Sequence, residues 1–318
     1  MSQQMTTSVV FPGQGCQKTG MGRDFHDEFE QARRVFELAS DTLDLDMRAL
    51  CFEEDPRLQQ TEFQQPAILT VELAMLESLR AHFDLADSCW GGHSLGEYAA
   101  LVAAGVLPTA EALRLCRQRG RLMQDCLAAD GGTTVTGAML AVTARGLDQQ
   151  ALLELVTELG VDIANVNSTQ QAVIAGETSA VAEAGERIAA HPALSGARLV
   201  ELRVSAPFHS RLMAPVADSL RPLLEDSADR WQPAHASSVT SNHSGGFYEA
   251  VAARIVDGLA MQVCSTVLWN ENMPLLAAGA ERVIEIGPGR PLRGFFRSIG
   301  VKVLSVSTLK IARELLSD

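Results

Sequence analysis

The apolar positions of the chain fall into short continuous runs and into longer stretches with helical spacing. The run TSVVF at residues 7–11 predicts a short buried strand that leads into a Pro-Gly turn. Helical spacing follows in four stretches, at about 26–43, 65–82, 95–104 and 109–127. Strands that alternate with helices pair in parallel beneath helical layers, so this region predicts a parallel sheet with helices on both faces.

The order of elements changes in the middle of the chain. Strand, helix, strand, strand, helix and strand are expected at 136–144, 147–159, 161–166, 171–176, 178–191 and 197–205. This β-α-β-β-α-β order is that of ferredoxin-like domains. Alternation then resumes, with a helix at about 211–223, a strand near 238–242, a helix at 246–260 and a strand at 282–286. We therefore predict an α/β fold in which residues 1–134 and 206–318 form a large domain around a ferredoxin-like subdomain at 135–205.

Composition narrows the class of protein. The chain has 318 residues, 47% hydrophobic and 20% charged, as in soluble globular proteins. No apolar stretch approaches the roughly 20 residues that cross a bilayer, and no secretory signal is visible at the N-terminus, so a cytoplasmic protein without membrane contact is expected. The six cysteines and seven histidines lack ligand spacing, which predicts reduced thiols and no metal site.

The charge is acidic overall and locally basic. A net charge of −13 argues against nucleic acid as a partner, because phosphate binding needs a basic footprint. Residues 282–302 nevertheless hold four arginines and one lysine against the single acid Glu285. This basic run is either an ordinary solvated face or a landing site for an acidic partner.

The segment WGGHSLGEYAALVAAG at residues 90–105 contains a serine with a glycine two positions to either side. The G-x-S-x-G spacing is typical of a nucleophile elbow, in which a strained turn between a strand and a helix exposes the serine. The helix that follows would favour developing negative charge at its N-terminus. Ser94 is therefore either a nucleophile or the N-cap of a helix that follows a glycine-rich loop.

A serine nucleophile needs a base and an oxyanion hole. His93 is adjacent to Ser94, and its side chain would point away. His209, in RVSAPFHSRLM, follows a predicted strand and a loop and is the better candidate base. Backbone N–H groups of Leu95 and of the glycine-rich loop at 11–15 could form the oxyanion hole.

Seven segments together resemble one family over about residues 8 to 308. They are FPGQG, QPAI, GHSLGEYAAL, RGRLMQ, NVNS, VSAPFHS and IEIGPGRPL. In order and spacing the chain is similar to the malonyl-CoA:acyl-carrier-protein transacylases of fatty acid and polyketide synthesis. The resemblance implies an α/β-hydrolase-like core with an inserted ferredoxin-like subdomain, and a serine acyltransferase. It also implies a CoA thioester as substrate, with no permanently bound cofactor.

The resemblance assigns the catalytic roles. Ser94 would carry the acyl group as an ester, and His209 would be its base and then the acid for the leaving thiol. The backbone N–H groups of Gln14 and Leu95 match the oxyanion-hole positions. In the family a main-chain carbonyl orients the histidine, and Leu268 stands where the residue that lends it is expected.

The resemblance also assigns the substrate pocket. Arg119 matches the position that pairs with the free carboxylate of malonate, for which a planar guanidinium is suited. Phe208 would crowd a branched acyl group, and His93 would lie beside it in the pocket. Asn165 and Asn167 match a pair assigned to cofactor contact or loop support; on their own they would be turn formers.

Three alternatives stay open from the sequence: a serine acyl-thioester hydrolase on the same scaffold, a transferase for another acyl unit, and a non-catalytic docking subunit. Arg119 disfavours the first, Arg119 and Phe208 together disfavour the second, and the presence of Ser94 and His209 disfavours the third. The expected partners are malonyl-CoA and an acidic, phosphopantetheinylated acyl carrier protein. That carrier would dock on the basic run together with Arg203 and Arg211, and the enzyme is expected to be a monomer.

Overall fold

A computed structural model describes residues 7–317 apart from 81, 83, 84, 86, 127–135, 195 and 205. Within these residues the chain forms two four-stranded sheets and thirteen α-helices. The strands are β1 Thr7–Phe11, β2 Cys89–Gly92, β3 Gly137–Thr143, β4 Asp162–Ser168, β5 Gln171–Glu177, β6 Arg198–Glu201, β7 Arg282–Ile286 and β8 Val303–Val306. The helices are α1 Arg23–Glu28, α2 Glu30–Leu43, α3 Met47–Phe52, α4 Thr61–Arg80, α5 Gly96–Ala103, α6 Thr109–Asp125, α7 Gln149–Glu158, α8 Thr178–Ala190, α9 Ala214–Ala228, α10 Ala252–Gln262, α11 Trp269–Ala277, α12 Leu292–Arg297 and α13 Leu309–Ser317.

The first sheet is parallel, with the strand order β2-β1-β7-β8. Its central strand β1 is buried along its whole length, as expected for a strand covered on both faces. Helix α4 is buried on nearly every side and packs between α2 and α6, so it lies inside the helical layer rather than at its surface. The carboxyl ends of β1, β2 and β7 meet at one edge of this sheet.

The second sheet is antiparallel, with the order β4-β5-β3-β6. Helices α7 and α8 pack on one face, where Val142, Leu152, Ile174 and Ile188 form a separate apolar core. Asp148 caps α7 by accepting a hydrogen bond from the N–H of Ala151 at 3.0 Å. The strand order is that of a ferredoxin-like unit, which confirms the predicted fold class.

Hydrogen bonds tie the antiparallel unit to the rest of the chain. Val267 and β4 exchange backbone bonds: Val166 N–H donates to Val267 O at 3.0 Å, and Val267 N–H donates to Ala164 O at 2.8 Å. At the rim, the Arg211 guanidinium pairs with the Asp162 carboxylate at 2.5 Å. These contacts fix the open face of the antiparallel sheet opposite the carboxyl edge of the parallel sheet.

Several predicted boundaries differ from the structure. Phe29, which is extended, splits the helix expected at 26–43 into α1 and α2. The helix expected at 246–260 begins only at Ala252, because an extended Val251 precedes it. In the described residues, the strand expected near 238–242 is reduced to two isolated bridges, a parallel one between Val239 and Trp90 and an antiparallel one between Thr240 and Phe247. The predicted division between residues 134 and 135 lies outside the described residues.

Candidate active site

Ser94 lies on the turn between β2 and α5, at the carboxyl edge of the parallel sheet. Its φ of 53° is in the left-handed region, which is strained for a residue with a side chain. The flanking glycines make this turn possible. A Cβ on Gly92 would lie 1.9 Å from the carbonyl carbon of Gly96, and a Cβ on Gly96 would lie 2.3 Å from Phe11 O. The sequence thus forms the exposed strand-to-helix turn that a nucleophile elbow requires.

The structure brings His209 to Ser94. Its Nε2 lies 2.7 Å from Ser94 Oγ, and its Nδ1 lies 2.7 Å from the main-chain oxygen of Gln262. A carbonyl oxygen only accepts, so Nδ1 carries the proton and Nε2 is free to accept the proton of the serine hydroxyl. His209 also has a left-handed φ, 61°, and its own N–H donates to Val263 O at 3.1 Å. Both reacting residues are therefore held in strained backbone conformations.

The environment keeps His209 neutral. Burial, and to a smaller extent the nearby Arg119 cation, lower its pKa to about 3, against the effect of the Gln262 carbonyl. A neutral imidazole is the form that can act as a general base. The histidine is thus ready to accept a proton at neutral pH.

The carbonyl that orients His209 belongs to Gln262, and the expectation for Leu268 is wrong. Gln262 is the last residue of α10, where main-chain oxygens have no partner within the helix. Leu268 lies just before α11, and its N–H donates to Asn242 O at 2.9 Å. The sequence predicted the kind of group correctly and placed it six residues too far along the chain.

Arg119 lies beneath the serine with 0% of its surface exposed. Its Nη1 donates to Gln65 Oε1 at 2.8 Å; its Nη2 donates to Gln262 Oε1 at 2.8 Å and to Ser94 Oγ at 3.2 Å. Among the described residues its Nε has no partner. A buried cation within reach of the nucleophile, whose hydrogen bonds go to two amide oxygens and the serine hydroxyl, is suited to an incoming carboxylate.

Two backbone donors of the predicted oxyanion hole lie at the site. The N–H groups of Leu95 and Gln14 give no hydrogen bond to any residue that the structure describes. The Gln14 side chain is fixed, because its Oε1 accepts from Gln65 Nε2 at 2.9 Å and its Nε2 donates to Gln64. Neither N–H group therefore has a competing acceptor among the described residues.

A cavity of about 480 Å³ opens above Ser94, between the two sheets. His93, Asn165, Asn167 and Phe208 line it, and His93 Nε2 lies 2.7 Å from Asn167 Oδ1. Burial lowers the pKa of His93, so this ring is also neutral at pH 7. The opposite wall comes from the antiparallel sheet and is largely apolar, through Met139, Ala141, Val173, Val200 and Leu202, with Thr143, Gln171 and Arg198 as its polar members. A volume of this size is typical of sites for small molecules.

The residues that support the site are not among those predicted from the sequence. Asn242 and the side chain of Gln262 carried no local signal, since they reach Ser94 from 148 and 168 positions away. Glu97 did carry one, as an acid one turn after the serine in an otherwise apolar helix. It is fully buried, which raises its pKa to about 7, and it accepts hydrogen bonds from Gln262 Nε2 and from Tyr248 Oη.

The basic run lies partly at the mouth of the cavity. Pro291, Leu292 and Phe295 line the cavity, and the exposed Arg290 and Arg293 are their neighbours in the chain. Arg203, also exposed, follows the apolar wall. Arg211 is exposed too, but it is paired with Asp162. Among the described residues, no cluster of His, Cys, Asp and Glu is placed to hold a metal ion.

The chain matches known proteins over nearly all its length. Residues 9–288 match the model of the acyl transferase domain family. The malonyl CoA-acyl carrier protein transacylase of Bacillus subtilis strain 168 is 36% identical over 325 aligned positions, which cover 98% of this chain and 97% of the relative.

Solved structures are similar as well. The malonyl CoA-acyl carrier protein transacylase of Clostridium perfringens superposes with a TM-score of 0.85 at 35% identity, over 98% of this chain and 96% of the other. A malonyl-transacylase in complex with its type II PKS acyl-carrier protein gives a TM-score of 0.87 at 33% identity, over 99% of both chains. In the described part of the chain no helix is long and apolar enough to span a membrane.

Proposed function

The chain belongs to the malonyl-CoA:acyl-carrier-protein transacylase family, and on this premise we propose that it transfers malonyl from CoA to the pantetheine thiol of a carrier through an ester on Ser94. One observation carries the proposal. Ser94 Oγ lies 2.7 Å from a neutral imidazole nitrogen of His209 and 3.2 Å from the buried guanidinium of Arg119. A nucleophile, its base and a carboxylate receptor thus meet at one atom.

In the first half-reaction, Ser94 Oγ attacks the thioester carbonyl while His209 Nε2 takes the hydroxyl proton. The Nδ1 proton stays on His209 and is donated in a hydrogen bond to Gln262 O, which stabilises the imidazolium without taking the proton. His209 then gives its proton to the departing CoA sulfur, and the malonyl group remains as an ester of Ser94.

The second half-reaction reverses these roles. His209 Nε2 takes the proton of the carrier's thiol, and the sulfur attacks the ester carbonyl. When the tetrahedral intermediate collapses, His209 returns the proton to Ser94 Oγ, and the malonyl thioester of the carrier is released. In both halves the negative oxygen would be bound by the N–H groups of Leu95 and Gln14, which have no competing acceptor among the described residues.

Arg119 accounts for the choice of acyl group. The malonyl carboxylate would reach the guanidinium that Gln65 and Gln262 hold beneath Ser94, and the unpartnered Nε is one donor for it. An acetyl group would leave this buried cation without a counter-ion, which costs about 1–3 kcal/mol. Phe208, 6% exposed in the cavity wall, would crowd a branch on the α-carbon.

We place the carrier at the mouth of the cavity, on Arg290 and Arg293 with the exposed Arg203. An acidic carrier is attracted to this face even though the whole enzyme is acidic. The proposal agrees with one structural neighbour, a malonyl-transacylase in complex with its type II PKS acyl-carrier protein. Charge reversal at Arg290 and Arg293 should raise the KM for the carrier and leave the KM for malonyl-CoA nearly unchanged. Unchanged carrier kinetics would remove this surface from the proposal.

Four finer assignments belong to the same proposal. The enzyme acts as a cytoplasmic monomer, and it holds no permanent cofactor, since CoA enters and leaves as a substrate. Residues 1–134 and 206–318 form the catalytic domain, and 135–205 form the subdomain that covers it. Asn165 and Asn167 support the cavity: Asn167 Oδ1 contacts His93 and its Nδ2 donates to Gln171 Oε1 at 3.0 Å.

The first experiment is intact-protein mass after brief exposure to malonyl-CoA, methylmalonyl-CoA or acetyl-CoA. The parent should gain a malonyl-sized adduct, Ser94→Ala should gain none, and Arg119→Ala should gain acetyl in place of malonyl. Steady release of CoA without an adduct would mean that water hydrolyses the ester of Ser94 quickly. The hydrolase hypothesis would then be favoured over the transferase. An adduct from methylmalonyl-CoA equal to that from malonyl-CoA would instead favour a broader transferase.

A further inference from the structure

Asn242 touches the nucleophile turn from a distant part of the chain. Its side chain has 0% exposure and uses both of its polar atoms there. The Oδ1 accepts from Ser94 N–H at 2.6 Å, and the Nδ2 donates to Gly92 O at 2.8 Å. One amide group thus spans the backbone on the two sides of His93, across the tightest part of the turn.

The backbone of Asn242 is tied to the same unit. Its N–H lies 3.3 Å from each carboxylate oxygen of Glu97, which lies on α5 directly after the turn. Asn242 therefore contacts the strand before the serine, the serine itself and the helix after it.

Neighbouring contacts fix Asn242 in turn. Its Nδ2 donates to Asn272 Oδ1 at 3.1 Å, and its main-chain oxygen accepts from Leu268 N–H at 2.9 Å. Two residues earlier, Thr240 N–H donates to Trp90 O at 2.9 Å, so the segment runs beside β2. Because Gly92 O can only accept and Ser94 N–H can only donate, the amide has one possible orientation.

We propose that Asn242 is a positioning residue that holds Ser94 in its left-handed conformation and aims its Oγ at His209. This inference rests on the proposed role of Ser94 as the nucleophile. A second consequence concerns the oxyanion hole. Since Asn242 occupies the N–H of Ser94, the turn presents the N–H of Leu95 to the substrate.

The test separates positioning from folding and from binding. Asn242→Asp keeps the size and the acceptor for Ser94 N–H, and it places an oxygen against Gly92 O, which repels it. Asn242→Leu removes both contacts. Thr240→Val is the matched control, because Thr240 is buried in the same segment and its hydroxyl has no partner among the described residues.

Two kinetic measurements are made for each variant. The first is the maximal rate constant for labelling of Ser94 by a small fluorophosphonate without a carboxylate, which does not depend on the fraction of folded protein. The second is kcat and KM with malonyl-CoA. Both Asn242 variants should lower the labelling rate constant and kcat by about 10- to 100-fold, the loss expected from a reacting atom displaced by about 1 Å. The KM should stay within about twofold, since Gln65 and Gln262 still hold Arg119.

The outcomes separate the two proposals. Labelling at the parent rate in Asn242→Asp would overturn the role of Asn242, as would a rise in KM at constant kcat. If Asn242→Leu does not fold, Asn242→Asp and Asn272→Leu decide, and the latter should slow labelling less because it leaves Asn242 in place. A parent that reacts with the fluorophosphonate but forms no malonyl ester would overturn the transferase while leaving the role of Asn242 intact.

Discussion

The parallel and the antiparallel sheet face each other across the cavity, and they contribute differently to it. The parallel sheet supplies Ser94 on a strained turn. The backbone segments of this turn are packed so closely that a Cβ on Gly92 or Gly96 would clash with backbone atoms. The antiparallel sheet supplies an apolar wall whose residue Val200 is 39% exposed. One side is a fixed array of polar atoms, and the other is a surface along which a ligand can lie.

Because of this difference, the parallel side carries out the reaction, and the antiparallel side contacts the long pantetheine chain of the substrate. Groups that react must be placed to within a fraction of an ångström, so each carries several hydrogen bonds from buried partners. A wall that only excludes water and packs on a flexible arm needs shape and apolar area. Substitutions on the parallel side should therefore affect kcat or folding, and those on the wall should affect KM.

The largest effect is expected from a single methyl group in the turn. In Gly92→Ala the new Cβ would meet the backbone of Gly96 at 1.9 Å, which no side-chain rotation relieves. We expect loss of soluble, cooperatively folded protein. In Gly176→Ala, within β5 of the antiparallel sheet, the nearest atom would lie at 3.4 Å. That variant should fold with a melting temperature within a few degrees of the parent's.

Thermal unfolding of the two purified variants measures this contrast. A folded and active Gly92→Ala would mean that the turn can open, and the account of the elbow as a rigid unit would be wrong. A severe loss in Gly176→Ala would show instead that the antiparallel sheet is as tightly constrained as the turn.

The next effect concerns charge at the floor of the site. Gln262→Glu would place a carboxylate against Arg119 at the position of Oε1, and its other oxygen would face Ser94 O and Glu97. The guanidinium would then be neutralised before malonate arrives. We expect kcat/KM for malonyl-CoA to fall by about 100-fold, the scale of losing one charged hydrogen-bonded contact in a buried site.

The control is the same substitution on the wall. Gln171 lines the cavity from β5, and its hydrogen bonds go to Asn167 and Thr143 rather than to Ser94, His209 or Arg119. Gln171→Glu should lower kcat/KM by less than about tenfold, since its charge stays partly solvated. Equal losses in the two variants would mean that overall negative charge in the cavity, not the Arg119 contact, decides the rate.

A smaller effect concerns the pH dependence of Ser94. Burial and the Arg119 cation hold the pKa of His209 at about 3, so the parent should react with a neutral fluorophosphonate at nearly constant rate down to pH 4. In Arg119→Ala the cation is gone and the site is less dry, and both changes raise this pKa. The imidazole then becomes protonated at higher pH and cannot accept the serine proton. We expect the decline of the labelling rate at low pH, the acid limb of the pH–rate profile, to move up by about one pH unit.

Rates after brief pH jumps between 4 and 8 give this limb directly. Arg198→Ala is the comparison on the wall, because Arg198 lies on β6 at the mouth of the cavity. Its limb should coincide with that of the parent. A limb that stays in place in Arg119→Ala would show that burial alone sets the pKa of His209.

The same division explains what the sequence could predict. The turn around Ser94 is encoded within five consecutive residues, and the antiparallel unit follows from a regular order of strands and helices. The support of the site is not local: Arg119 is held by Gln65 and Gln262, which lie 54 and 143 positions away. The misplaced carbonyl at Leu268 has the same origin, since any main-chain oxygen can do this work and its residue type gives no signal.

The smallest expected effect tests the wall itself. Val200→Thr exchanges a methyl for a hydroxyl of nearly equal size on an exposed position of β6, so folding should be unaffected. The loss of one apolar group from the wall should raise the KM for malonyl-CoA and for the carrier by about two- to threefold at constant kcat. Val251→Thr is the matched control, because that valine is 50% exposed and does not line the cavity. If Val200→Thr lowers kcat instead, the wall helps to place the reacting atoms, and the division of labour between the two sheets is less strict than their hydrogen bonds imply.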